Sequence, residues 1–123
     1  MLRTLFLIAL GGGVGSVFRH LTSIAIQRYY SAVFPLATLI TNILGCLLIG
    51  VIMGLLEKNQ MTDSNLKWLF VTGFCGGYTT FSAFGYENVS LFQHNNPALA
   101  ILYIGASVMA GLFAVWFGLF LVK

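Results

Sequence analysis

Charged residues are scarce in this 123-residue chain, which contains three acidic side chains and six Lys or Arg, 7% in all. Hydrophobic residues make up 59% of the sequence. A soluble domain of this size could not bury so much apolar surface, because small folds leave a large share of their surface exposed. The net charge of +3 includes no basic run, so nucleic acid is not expected as a partner. The composition predicts an integral membrane protein with lipid as its solvent.

Cysteine and proline are scarce too, with two copies of each. Cys46 and Cys75 lie in apolar segments far apart in sequence, which favours reduced packing residues over a disulfide or a metal pair. Pro35 and Pro97 each stand where a long apolar run begins, and proline suits the first turn of a helix. The first apolar stretch is too long for a cleavable signal peptide, so we expect it to remain as a helix.

Four apolar segments are each long enough to cross the roughly 30 Å hydrocarbon core of a membrane as a helix. We predict helices at about residues 2–26, 35–56, 66–92 and 97–122, separated by short polar segments. The predicted fold class is therefore all-α and multi-pass, with residues 1–123 forming a single four-helix transmembrane domain. Since no soluble domain is left over, we expect the function to reside in the membrane.

The third segment carries an unusual stretch, Gly73 to Phe84, which is rich in glycine, hydroxyl and aromatic residues. Glycine pairs and consecutive threonines form helices poorly, so we expect this helix to be broken at its centre. Broken backbone at membrane depth is tolerated only where protein or a polar cavity satisfies the freed carbonyl and N–H groups. The break is therefore where an ion would bind or pass.

Small residues spaced four apart recur in all four segments. They form smooth helix surfaces that allow close packing in lipid, at Gly11 and Gly15, Gly50 and Gly54, Gly73 and Gly77, and Ala106 and Ala110. Most of these glycines are expected to serve packing alone. Because four helices are too few to enclose a well-lined pathway, we expect an oligomer, most simply a symmetric dimer.

Three of the polar side chains inside the first two segments are candidates for a functional role. Arg19 has no acid near it in either segment, so it either forms structural hydrogen bonds while reaching towards the interface or attracts an anion. Thr38 and Asn42 are one helical turn apart and should share a face. Asn42 is either an interhelical hydrogen-bonding residue, the usual role of membrane asparagine, or a neutral donor to an anion.

Aromatic and hydroxyl residues follow the predicted break. Phe81 and Phe84 stand three apart, and the positive edges of their rings offer weak attraction for an anion. Glu87 lies three residues further on, nearer the helix end, where partial hydration makes a carboxylate tolerable. Further hydroxyl donors are available from Ser82, Tyr103 and Ser107.

These residues resemble the Fluc family of bacterial fluoride channels, also called CrcB, over all four segments. The markers are Gly12-Gly13-Val14-Gly15 with Arg19, Thr38 with Thr41-Asn42 and Gly45, and the run Gly73 to Phe84. The resemblance implies an antiparallel, dual-topology homodimer in the bacterial inner membrane, with two separate fluoride pathways. It also implies a fluoride-selective channel, and not an enzyme, that relieves fluoride toxicity by letting cytoplasmic fluoride leave passively down its electrochemical gradient.

The resemblance also assigns roles to individual residues. Asn42, Phe81 and Phe84 match pathway-lining residues, Arg19 matches a vestibule arginine, and Glu87 matches the acid beyond the second phenylalanine. Tyr103 and Ser107 resemble a polar track, and Thr38 and Ser82 complete the expected fluoride pathway. A structural sodium ion at the dimer centre would be bound by the backbone carbonyls of Gly76 and Thr79.

Two features depart from the pattern of the family. Ala83 stands where the family often carries a hydroxyl residue, which removes one donor near the pathway. Positive residues are also biased towards one side, with Arg28 alone on the other against Arg3, Lys58, Lys67 and Lys123. The bias favours a cytoplasmic N-terminus, whereas dual topology expects a balanced charge. Either the bias is too weak to fix insertion and the chain forms the dual-topology homodimer, which we favour, or the chain inserts one way and pairs with a paralogue.

Other classes of protein explain the sequence less well. A proton-coupled exporter resembling the small multidrug resistance family needs a membrane carboxylate, usually in the first helix, and that helix has none. His20 and His94 have no acid or nucleophile arranged for catalysis, which argues against an enzyme. A purely structural membrane subunit leaves the break unexplained.

Overall fold

The computed structural model describes residues 1–123 and consists of helices joined by short turns. In chain order the elements are α1 (Leu2–Tyr29), α2 (Leu36–Lys58), a π-helix (Lys67–Cys75), α3 (Gly76–Tyr78), α4 (Phe81–Gln93) and α5 (Pro97–Leu121). We call the π-helix, α3 and α4 together the third span.

Three helices, α1, α2 and α5, are continuous and are long and apolar enough to cross a membrane. Pro35 is the N-cap of α2, and Pro97 is the first residue of α5. Helix α1 ends at Tyr29, three residues beyond the predicted end near Ile26, so the polar residues Gln27 and Arg28 belong to its last turn. The multi-pass, all-helical class predicted from composition is therefore confirmed.

The third span is interrupted, as predicted, and does not form one long helix. Thr79 (φ −88°, ψ 158°) and Thr80 (φ −149°, ψ 121°) are extended, and these two residues are called the break below. The backbone before the break is also wider than an α-helix, since the Gly76 N–H reaches the carbonyl of Val71, five residues back. Short π-helical stretches occur often at functional sites.

Glycines bring α1 into direct contact with the first half of the third span. A Cβ atom at Gly11 would overlap the Leu69 carbonyl, one at Gly15 the Phe74 carbonyl, and one at Gly77 the Gly12 carbonyl. Backbone therefore packs on backbone here, which is what small residues at helix interfaces permit.

A second glycine contact joins α2 to α5. A Cβ at Gly50 would overlap the Val115 carbonyl, and one at Gly54 the Val122 side chain. The packing role predicted for the glycine pairs is thus confirmed, while Ala106 and Ala110 are half-buried on α5.

Helix α4 packs on α5 around a small buried core formed by Leu91, Ala100 and Tyr103. The other side of α4 is uncovered within one subunit, and the Phe81 side chain is 82% exposed. The start of α4, directly after the break, therefore presents Phe81 outward, while Phe84 packs against the buried core.

Candidate functional site

The break is held by one side chain from α2. The Asn42 amide Nδ2 donates to the Thr80 carbonyl at 3.1 Å, and Asn42 Oδ1 accepts from the Thr80 N–H at 2.8 Å. These two bonds replace helical bonds that the extended backbone cannot make. The interhelical alternative for Asn42 is therefore confirmed, while the second amide proton remains free to act as a donor.

The two threonines stabilise the helix ends on either side of the break. Thr79 donates both its N–H and its Oγ1 hydroxyl to the Cys75 carbonyl, at 3.0 and 2.8 Å. The Thr80 hydroxyl caps α4 by accepting from the Ala83 N–H at 3.1 Å, and it lies 3.2 Å from the hydroxyl of the exposed Ser82. Gly45 is required beside them, since a Cβ there would overlap Thr79 Cγ2.

The break leaves backbone carbonyls without their helical partners. In a continuous helix the Thr80 N–H would bond to the Gly76 carbonyl, but here it bonds to Asn42. The Thr79 carbonyl accepts no hydrogen bond. Carbonyl oxygens are ligands that hard cations prefer, so the backbone at Gly76 and Thr79 fits a cation bound without any charged side chain.

A cavity of about 370 Å³ lies beside the break and brings together four of the nine residues predicted for the fluoride pathway. Its lining includes Asn42, Gly76, Thr79, Phe81, Phe84 and Ser107. We call it the aromatic cavity. The Ser107 hydroxyl is buried and has no hydrogen-bond partner, so it can serve a group inside the cavity.

Aromatic rings extend from this cavity into the protein. The Phe81 and Phe84 rings are 5.7 Å apart at 41°, and those of Phe84 and Tyr103 are 5.0 Å apart at 59°. Tilted packing of this kind turns ring edges towards neighbouring groups. Cys46 and Cys75 are free thiols that also line the cavity.

Glu87 lies next to the aromatic rings and is bound by two hydroxyl groups. Thr38 Oγ1 on α2 donates to Glu87 Oε2 at 2.7 Å, and the Tyr103 hydroxyl on α5 donates to Glu87 Oε1 at 2.8 Å. Hydrogen bonds to a carboxylate are stronger than those between neutral groups. Two hydroxyls predicted for the fluoride pathway, those of Thr38 and Tyr103, therefore hold this carboxylate in the structure.

A second cavity, of about 310 Å³, is lined mainly by polar groups, and we call it the vestibule. Arg19 and Glu87 both face it, yet the Glu87 oxygens bond to hydroxyls and not to the guanidinium. The vestibule reaches the break at Thr80, and it shares Thr38 and Glu87 with a further polar cavity of about 350 Å³ near the ends of the helices. Polar groups thus line a route from the helix ends to the break.

Most of the polar face of α1 that lines the vestibule is missing from the predicted site, which included only Arg19. Its members are Ser16, Arg19, His20 and Ser23. The pairs 16/19 and 20/23 are three residues apart and the pairs 16/20 and 19/23 are four apart, which is the spacing of one helical face. This spacing is visible in the sequence. Only Arg19 stood out there, because serine and histidine are ordinary residues when each is considered alone.

The interrupted span, the aromatic cavity and the polar vestibule define a multi-pass helical membrane protein of the kind that binds or passes ions. Residues 6–119 match the family described as CrcB-like protein, Camphor Resistance (CrcB), and the chain belongs to this family. The family predicted from the motifs is therefore confirmed.

Curated relatives match along nearly the whole chain. The chain is 53% identical to the fluoride-specific ion channel FluC of Flavobacterium psychrophilum, over 99% of this chain and 98% of the relative. It is 46% identical to the fluoride-specific ion channel FluC of Azobacteroides pseudotrichonymphae, over 100% and 98% of the two chains. The corresponding channel of Methylobacillus flagellatus is 42% identical over 95% and 92%.

Proposed function

We propose that this chain forms a fluoride-specific ion channel in the bacterial inner membrane. The observation that carries the proposal is the broken third span with its aromatic cavity, in a chain 53% identical to a fluoride-specific ion channel. Neutral HF crosses a membrane and ionises in the cytoplasm. The trapped anion then leaves passively through the channel down its electrochemical gradient, which relieves fluoride toxicity.

The chemistry of the aromatic cavity suits a small anion that must lose its water. Neutral donors replace the hydration shell there: the free amide proton of Asn42, the Ser107 hydroxyl and the edges of the Phe81 and Phe84 rings. Conduction requires binding strong enough for entry and weak enough for release. Since no cationic side chain lines this cavity, an anion is attracted without being trapped.

The functional unit of the proposal is an antiparallel homodimer with two pathways. Phe81 is 82% exposed within one subunit although it lines the aromatic cavity. A second copy packed against α4 would cover this ring and close the cavity towards lipid. A two-fold axis would then create the same pathway twice.

A structural sodium ion would sit where the two breaks meet. Antiparallel pairing brings the Gly76 and Thr79 carbonyls of both subunits towards the axis, where a hard cation satisfies them. The bound ion would supply a fixed positive charge beside the anion pathways. Asn42 supports such a site because it takes up the Thr80 N–H and so keeps the Gly76 carbonyl free.

Fluoride release from liposomes containing the purified protein tests this function. Addition of valinomycin to potassium fluoride-loaded liposomes should produce rapid fluoride efflux, read with a fluoride electrode. Chloride-loaded liposomes should show no efflux, because the cavity accommodates a small, dehydrated anion.

Each alternative has its own outcome in this assay. Equal fluoride and chloride efflux would contradict selectivity. No fluoride efflux from folded protein, together with guanidinium–proton exchange, would favour the proton-coupled exporter. Efflux that appears only when a paralogous chain is added would indicate a heterodimer and contradict the homodimer.

A further inference from the structure

A hydrogen bond between two hydroxyl groups joins α1 to the third span just before the break. The Thr22 hydroxyl donates to the Phe18 carbonyl at 2.9 Å, so its oxygen accepts the proton of the Tyr78 hydroxyl, also at 2.9 Å. This is the one side-chain hydrogen bond that α1 forms with another helix. Because Tyr78 is the last residue of α3, the bond links α1 to the residue that precedes the break.

The Tyr78 side chain is buried and held along its whole length. Its ring stacks on that of Phe74 at 5.8 Å, and the Phe74 ring lies 5.8 Å from that of Phe18 on α1. On the side of α2, a Cβ atom at Gly45 would lie only 3.4 Å from Tyr78 Cδ2. With its ring packed and its hydroxyl bound, Tyr78 is 8% exposed.

The turn that carries Tyr78 has little else to fix its orientation. Gly76 and Gly77 are consecutive, and glycine leaves the backbone conformationally permissive. Gly77 lies directly on α1, where a Cβ would overlap the Gly12 carbonyl. Such smooth contacts allow close approach, but they contain no interlocking side chains that would resist rotation of the turn. Its rotation therefore depends on the side chains of Tyr78 and Thr79.

We propose that Tyr78 is a positioning residue, whose bond to Thr22 fixes the rotation of this turn and so presents the carbonyls of the proposed cation site together. Those carbonyls belong to Gly76 and Thr79, which line the aromatic cavity, whereas Tyr78 does not. Tyr78 acts through the backbone and contacts no ion. The inference rests on the proposed sodium site and deepens it.

Loss of the bond has a defined consequence for cation binding. Without it the turn samples other rotations, and only a fraction of the molecules presents both carbonyls at the site. The apparent affinity for sodium falls by that fraction. A single hydrogen bond limits the loss to about three- to tenfold.

Hydrogen–deuterium exchange of sodium-free protein in detergent tests the positioning without any bound ion. Tyr78→Phe keeps the ring and removes only the hydroxyl, so peptides covering residues 76–80 should exchange about three- to tenfold faster than in the wild type. Thr22→Val removes the acceptor from the other helix and should give the same increase. Thr22→Ser keeps a hydroxyl and should exchange as the wild type does.

The sodium dependence of the melting temperature tests the effect on the site. Sodium is titrated against N-methyl-D-glucamine at constant ionic strength, and the apparent dissociation constant is obtained from the stabilisation by mass action. This constant should rise about three- to tenfold in Tyr78→Phe and in Thr22→Val. A tyrosine with a purely structural role would lower the melting temperature at every sodium concentration and leave the constant unchanged.

Tyr29→Phe is the matched control, because Tyr29 is an exposed tyrosine at the end of α1. It should match the wild type in both measurements. The double variant with Tyr78→Phe and Thr22→Val should show the effect of either single change and no more, since both changes remove the same bond.

The outcomes separate this inference from the proposed function. Unchanged exchange and unchanged sodium affinity in Tyr78→Phe would overturn the inference, and additive effects in the double variant would overturn the shared bond on which it depends. A wild type without any sodium dependence would overturn the sodium site and the inference with it, while fluoride efflux would still establish the channel. Absence of fluoride efflux from folded wild type would overturn the channel function, while exchange and sodium affinity, measured without fluoride, decide the role of Tyr78.

Discussion

Phe81 is a proposed pathway residue that a single subunit leaves largely exposed. Its ring lies 5.7 Å from that of Phe84, lines the aromatic cavity and is 82% exposed within one chain. An exposed phenylalanine in a membrane protein is unremarkable when it faces lipid. At this position it directly follows the break, so its ring edge is available to an ion in the cavity.

Phe81→Ile should reduce fluoride efflux from liposomes by at least tenfold while the protein still elutes as a dimer. The substitution keeps apolar volume but removes the positive ring edge that attracts the anion. Phe113→Ile is the matched control, since Phe113 is an exposed phenylalanine on α5 that stacks only on aromatic neighbours of its own helix. Equal efflux from the two variants would remove Phe81 from the pathway.

Among the helical elements, the third span depends on α2 for its shape. Asn42 forms two hydrogen bonds to the Thr80 peptide unit, and Gly45, one turn further along α2, leaves room for the Thr79 side chain. A break with unsatisfied peptide groups in lipid would be costly. The motif Asn42-x-x-Gly45 therefore supports the break as much as it lines the aromatic cavity.

Asn42→Ala should lower the stability of the folded protein by roughly 2 kcal/mol, because it removes both hydrogen bonds to the break. Asn42→Asp keeps the acceptor for the Thr80 N–H but loses the donor and adds a negative charge. We expect both variants to lose fluoride flux, and Asn42→Asp to be the more stable in detergent thermal unfolding. An Asn42→Ala protein with wild-type stability and flux would contradict both roles of this side chain.

The molecule as a whole carries a surface that one subunit leaves open. The start of α4 is uncovered, and the Thr79 carbonyl beside it has no hydrogen-bond partner. The proposed antiparallel dimer with a shared sodium ion accounts for both features at once. The excess of positive residues on one side favours one direction of insertion, so the proposed pairing requires this bias to be too weak to fix insertion.

Removal of sodium tests the assembly. Protein purified throughout in N-methyl-D-glucamine salts should unfold at a lower temperature than protein in sodium salts, because an ion bound only by the native dimer stabilises it by mass action. Potassium at equal ionic strength is the control for a general salt effect. The same melting temperature in all three salts would contradict a sodium ion at the break.

Several conclusions needed nothing beyond the amino-acid sequence. Scarce charge and long apolar segments predicted a multi-pass membrane protein, and the run Gly73 to Phe84 predicted the break and the family. These features could be predicted because hydrophobicity, backbone preference and short motifs depend only on residues that are close together in sequence. The roughly 3.6-residue period of a helix likewise made the glycine contacts predictable.

The partners of the polar side chains required the tertiary structure. Asn42 meets Thr80, 38 residues away, and Glu87 receives hydroxyl groups from two other helices. The polar face of α1 lines the same vestibule as Glu87, and this proximity is set only by the tertiary structure. Such contacts depend on the rotation and axial register of one helix against another. Rotation and register are determined jointly by many side chains along the whole interface, so no short stretch of sequence predicts them.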